Sequence, residues 1–203
     1  MKTAIKRLFG EEFNNLLFLN LMTVLFCLPV VTIGPALLAL NGTLIAILDG
    51  SCSVSRTAMF KRLFREKLGQ GVLMEIAFAA YGFVLVLAVA MADALPYSGI
   101  LYVVIGFAGM FFLMVSLCVT MILAATDSSF IQAVSKGVLM MLGRLPQVLL
   151  GTAAVYGGLF VDYLFYPISV VPVTVIGISA IAALAVGILW PAVYELFLSD
   201  DEL

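Results

Sequence analysis

The sequence predicts an all-α polytopic membrane bundle of six spans paired as three hairpins, and three observations carry that prediction. Of 203 residues, 64% are hydrophobic and 11% charged, with a mean hydropathy of +1.22. So little polar surface cannot cover the apolar residues in water. The ten Lys and Arg fall into three clusters (Lys2, Lys6, Arg7; Arg56, Lys61, Arg62, Arg65, Lys67; Lys136, Arg144), separated by apolar runs without a basic residue. Each run has the length of two passes through a hydrocarbon core roughly 30 Å thick. Basic clusters recurring after every second pass follow the positive-inside rule, which places all three clusters and both termini in the cytoplasm. No Pro, Ser or Gly-rich linker divides the chain, so 1–203 reads as one integral membrane domain.

The first hairpin comes from Phe13–Leu48, 36 residues without a charge. As one helix it would be about 54 Å long, too long for one straight pass. Pro29 and Pro35 bracket Val30, Val31, Thr32, Ile33 and Gly34, and two prolines with a glycine break a helix. The reading is an outward arm over 13–28, a turn built on Pro29, Thr32, Gly34 and Pro35, and a returning arm over 35–49. Both arms are short, about 21 to 24 Å, so a re-entrant pair that stops short of crossing is the alternative. The second hairpin runs out over 71–92, turns at 93–99 with Pro96, and returns over 100–125. The third runs out over 148–166 through Asp162, reverses near Pro167 and Pro172, and returns over 173–198 to the acidic tail Asp200, Asp201, Glu202. Ser179, Ala183 and Gly187, four apart, give the last span a smooth stripe for close helix approach.

Two inner segments join the hairpins. In Ser55–Leu68, Met59, Phe60, Leu63, Phe64 and Leu68 share one half of a helical wheel, and Lys61, Arg62 and Arg65 occupy the other, with Arg56 and Lys67 at or inside the boundary. Such an amphipathic helix belongs in the headgroup region, its basic residues meeting anionic lipid or a partner. The plainer reading is an inside loop with anchoring charges. Asp127–Gln147 repeats the design: Gln70 and Gln147 each open the span that follows. Asp127, Ser128 and Ser129 read as a helix N-cap rather than as a Ser-Lys pair with Lys136. Pro29–Gly34 also resembles Pro172–Gly177, ahead of the sixth span.

The polar groups inside the spans are few: Asn20, Asn41, Glu75, Asp162 and Glu195. None of the carboxylates is central, so one reading has them capping ends or pairing with nearby basic residues. The other is a polar cavity around Asn20, Asn41 and Glu75 that would hold a solute between helices. Histidine is absent, and the three cysteines are far apart, which leaves no zinc or CxxC pattern. No phosphate loop, GxSxG or dinucleotide fingerprint is present. We therefore expect no catalytic residue, no cofactor, no metal and no nucleic-acid partner.

Asn15-Leu16-Leu17-Phe18-Leu19-Asn20, followed by Cys27-Leu28-Pro29-Val30-Val31-Thr32-Ile33-Gly34-Pro35-Ala36, resembles the N-terminal hallmark of the YesL-like family of bacterial membrane proteins, a family of unknown function. The segment Phe60–Arg65 with Gln70 is similar to that family's basic aromatic loop. The resemblance implies a Gram-positive plasma membrane and association with carbohydrate ABC importers, and it supplies no catalytic residues. The function expected is thus a non-enzymatic accessory subunit or assembly factor contacting lipid and sugar-permease subunits. The alternative is an independent small-solute transporter or channel using the Asn20, Asn41 and Glu75 cavity.

Overall fold

The computed structural model describes residues 13–50, 55–92, 98–166 and 177–198. Among them it contains eight α-helices and no strand: α1 (Phe13–Phe26), α2 (Ile33–Leu48, entered through a 3-10 turn at Val30–Thr32), α3 (Arg56–Glu66), α4 (Leu68–Ala92), α5 (Ser98–Ala125), α6 (Phe130–Gly143), α7 (Leu145–Leu164) and α8 (Ile178–Phe197). Four segments are long and apolar enough to cross a membrane: Val30–Leu48, Leu68–Ala92, Gly99–Ala125 and Ile178–Phe197. A fifth arises if α6 and α7, bent by 107° about Arg144, form one broken span. The bend has a local cause. Pro146 cannot donate within a continuing helix but is tolerated in the first turn of a new one.

The expected spans at 71–92 and 100–125 correspond to α4 and α5, and the described part of that at 173–198 to α8; the helix expected at 148–166 is α7, which qualifies as a crossing only together with α6. The basic N-terminal cluster, Cys52, the 93–97 turn, the Pro167–Ile176 reversal with its Pro172 motif, and the acidic tail lie outside the described residues.

Two hairpins share one construction. In α4–α5, Tyr81 stacks on Phe112 with centroids 4.0 Å apart and donates its hydroxyl to the Ala108 carbonyl at 3.1 Å. In α7–α8, Gly151 and Gly158 make room for Leu189 and Ile181, against a stripe in which Ser179, Ala183 and Gly187 are all buried. A basic residue opens each outgoing arm, and an acid near the end of the returning arm pairs with it: Lys67 with Asp127 at 2.8 Å, and Arg144 with Glu195. The outgoing arms begin Lys67-Leu68-Gly69-Gln70 and Arg144-Leu145-Pro146-Gln147. Each follows an amphipathic helix capped by a serine, Ser55 for α3 and Ser129 with Gln132 in a capping box for α6. The weak repeat in the sequence therefore corresponds to a repeated structural unit.

The first hairpin packs against the junction of α3 and α4. α1 has 14 residues, about 21 Å, against roughly 30 Å of hydrocarbon. Its last turn brings Phe26 edge-on to Phe60 and Phe64 of α3, at 5.6 and 4.7 Å. The Gly34 backbone lies directly on Gly71, four residues past Lys67, about 6 Å along α4. The reversal between α1 and α2 therefore lies beside the basic α3–α4 junction. α2 is accordingly the centre of the protein and not a peripheral arm: 72% of its apolar window is buried, against 6% for α4 and 11% for α5. Leu38, Leu40 and Leu44 are fully enclosed.

Asp127 gives the hairpin base a pH dependence. A hydrogen bond from Lys67 and its charge hold the Asp127 carboxyl below the usual carboxylate value. A carboxyl depressed in the folded state contributes stability that is complete above its unfolded value, about 3.9, and that is lost as pH falls through the lower folded value. Melting curves at pH 7 and at about pH 3 should therefore lie closer together for Asp127→Asn than for the native protein. Equal acid sensitivity in both would remove the pair from the account. Asp127 is fully exposed, so the effect is small.

Candidate functional site

α2, α4, α5, α7 and α8 enclose a cavity of about 400 Å³, within the range of roughly 300–1,000 Å³ found for small-molecule sites. Its position follows from the α2–α4 crossing. Only glycines at 34 and 71 allow two backbones to touch there, and the contact brings Glu75, one turn beyond Gly71, to the start of α2. Glu75 Oε2 accepts the Gly34 N–H at 3.1 Å, one of the four donors that an α-helix leaves unpaired at its N-terminus. The positive end of the α2 dipole faces the same carboxylate. Asn41, two turns further along α2, projects into the cavity.

Ser116 and Thr120 of α5 and Tyr156 of α7 add polar groups to the lining, and Phe78 adds an aromatic ring. The hydroxyls of α5 are committed locally: Ser116 donates to the Leu113 carbonyl at 2.9 Å and Thr120 to the Ser116 carbonyl at 2.7 Å. The sequence reading missed Ser116, Thr120 and Tyr156. Two hydroxyl residues four apart in an apolar span were the available signal, since that spacing puts both on one helix face.

Of the residues expected around one polar cavity, the structure brings Asn41 and Glu75 together and leaves Asn20 out. Asn20 is fully buried elsewhere, where its Oδ1 accepts the Ser179 N–H at 2.8 Å and ties α1 to the start of α8. The turn residues form a self-contained knot beside this site. Pro29 leads into the 3-10 turn in an extended conformation, and the Thr32 hydroxyl lies 2.6 Å from the Phe26 carbonyl and 2.7 Å from that of Pro29. Pro35 occupies the first turn of α2 and packs on Gly71.

The basic helix divides. Phe60, Leu63 and Phe64 are buried and Lys61, Arg62 and Arg65 exposed, so α3 has the amphipathic face that its pattern predicts. Arg62 also meets Glu66 at 3.7 Å, an i,i+4 surface pair of small energetic weight. Arg56 is half-buried. Lys67 does not belong with the surface contacts. It is 6% exposed, and its Nζ donates to the Thr126 carbonyl at 2.7 Å and to Asp127 at 2.8 Å, closing the C-terminus of α5. The helix breaks at Lys67 and turns its side chain inward, in keeping with its place at or inside the apolar boundary of the wheel.

Among the described residues no cluster of three or more His, Cys, Asp or Glu could hold a metal. Burial pushes the Asp49 carboxyl up, offset in part by the Trp190 indole N–H donated to it at 2.7 Å.

Residues 14–89 match the family model described as "Protein of unknown function, DUF624", a domain that YesL-like proteins carry. The matched stretch contains the turn, the basic helix and Glu75. No curated protein and no solved structure matches the chain.

Proposed function

We propose that the chain is a non-enzymatic membrane subunit, an accessory or assembly factor for the permease of a bacterial carbohydrate ABC importer. The observation that carries this reading is the far half of the α4–α5 hairpin. It exposes Phe83, Val86 and Met91 on one helix and Ile100, Val103 and Phe107 on the other, while Gly82 and Gly106 open onto empty space. Small residues on a membrane helix allow a second helix close approach. The carbohydrate permease as the partner rests on the family resemblance, and exposed Lys61, Arg62 and Arg65 offer a polar contact at the same protein's cytoplasmic face. Purification from the native host in a gentle detergent should recover permease subunits in stoichiometric amount, and Gly82→Phe with Gly106→Phe should release them. Recovery of the chain alone would overturn the reading. A second reading, an independent small-solute carrier, is favoured by the cavity and would then be tested by uptake into reconstituted vesicles.

For the membrane arrangement we propose three hairpins of six inserted helices in a plasma membrane, with the basic clusters and both termini cytoplasmic and the α1–α2 pair re-entrant. In a cysteine-free background, Gly99→Cys should react with an impermeant thiol reagent on intact cells, and Val31→Cys only in inverted vesicles. Labelling of Val31→Cys on intact cells would make α1–α2 a full crossing.

A further inference from the structure

We propose that the cavity between α2, α4, α5, α7 and α8 binds a small amphiphile with a protonated amine head and an apolar body. Asn41 is the starting point. Its side chain lines the cavity and is 6% exposed, and no group among the described residues hydrogen-bonds it. A buried amide without a partner is costly in apolar surroundings, so an occupant that meets its oxygen is favoured. Glu75 makes the second half of the argument. Its carboxylate receives one N–H from Gly34, and among the described residues no Lys or Arg lies within ion-pair distance of it.

Apart from the two N–H groups of the Asn41 amide, the site is therefore rich in acceptors and short of donors. The Ser116 and Thr120 hydroxyls cannot redress this, because their hydrogens go to carbonyls of their own helix. An ammonium group brings three donors and a positive charge and accepts nothing. Phe78 and Tyr156 stand in the same lining, and aromatic faces attract such a cation. The remaining wall, with Leu37, Met121 and Ile181, suits an alkyl or aryl body. A sugar would need hydrogen-bond partners for several hydroxyls at once, which this lining does not supply. The inference is separate from the permease reading, since it concerns an internal cavity and not the lipid-facing hairpin.

The test uses the full chain in phosphatidylcholine nanodiscs, titrated calorimetrically with octylammonium, octanol, octanoate and octyl glucoside. Octylammonium should saturate a single site at least about tenfold more tightly than the other three, the factor expected when one charge-assisted contact is gained. Ala182→Phe, which places a ring in the cavity, should abolish saturable binding. Glu75→Gln should weaken it by about tenfold. Because Glu75 also caps α2, Asn41→Leu is the companion variant: it leaves the cap in place and should weaken binding severalfold. Non-saturable uptake, equal affinity for octanol and octylammonium, preference for octyl glucoside, or unchanged affinity in Asn41→Leu and Ala182→Phe would each overturn the proposal.

Discussion

Gly71→Leu is expected to destroy the native bundle. A Cβ added at Gly71 would meet the Pro35 backbone nitrogen, with Pro35 Cα at 2.6 Å and Cδ at 2.7 Å, distances that no side-chain rotation relieves. The reciprocal position behaves alike, since a Cβ on Gly34 would collide with the Gly71 carbonyl. Overpacking typically costs about 1–3 kcal/mol where side chains can move. Here the obstacle is main chain on a helix that is itself the core, so the cost lies at or above the top of that range. A glycine replaced inside a helix gains at most about 1 kcal/mol of propensity, and the clash wins. It also separates Glu75 from the start of α2, so stability and the cavity should be lost together. The control is Gly82→Ala, where nothing lies within 4 Å and the propensity gain acts alone. Size-exclusion profiles and melting temperatures in detergent should show Gly71→Leu aggregated and Gly82→Ala monodisperse at or above native stability. A Gly71→Leu protein that melts like the native one would mean that α2 and α4 do not cross there.

The same glycines mark how far the fold was legible. Helix boundaries could be read because charges, prolines and glycines interrupt an otherwise apolar chain; the ends of α4, α5 and α7 follow from them, and the serine cap of α6 from its place after Asp127. Whether an apolar helix faces lipid or protein could not, because both environments ask for the same residues. α2 and α4 are comparably hydrophobic, yet one is enclosed and the other almost bare. The packing of the first hairpin against α3 and α4 depends on that distinction. It also depends on Gly71, which in the sequence is one more glycine among 17. Lys67 is a different case: its place at or inside the apolar boundary of the wheel was legible, but its contact with Asp127 was not. The cavity was half legible. Intramembrane polar residues flag buried polar contacts, but they do not say whether the contact is another part of the chain or open space.

That last ambiguity separates the two asparagines, and one substitution made at each resolves it. Asn20→Leu should destabilise the protein by about 1–3 kcal/mol, the range for removing one partner of a buried hydrogen bond. The donor is the Ser179 N–H, near the start of α8. Asn20 supplies the cap from another helix, and the Ser179 hydroxyl returns a bond to the Leu16 carbonyl at 3.0 Å. Losing the amide therefore unpins α1 from α8. Asn41→Leu removes no hydrogen bond within the described residues and converts an amide facing the cavity into another apolar wall residue. Its effect on stability should stay within about 0.5 kcal/mol of zero, with stabilisation as the favoured sign, because an uncompensated polar group has been replaced. Parallel denaturation of the two variants reads the difference directly. Equal destabilisation would give Asn41 a structural partner and close the cavity as a binding site, whereas a stable Asn41→Leu beside a weakened Asn20→Leu assigns one asparagine to the fold and leaves the other free for a ligand.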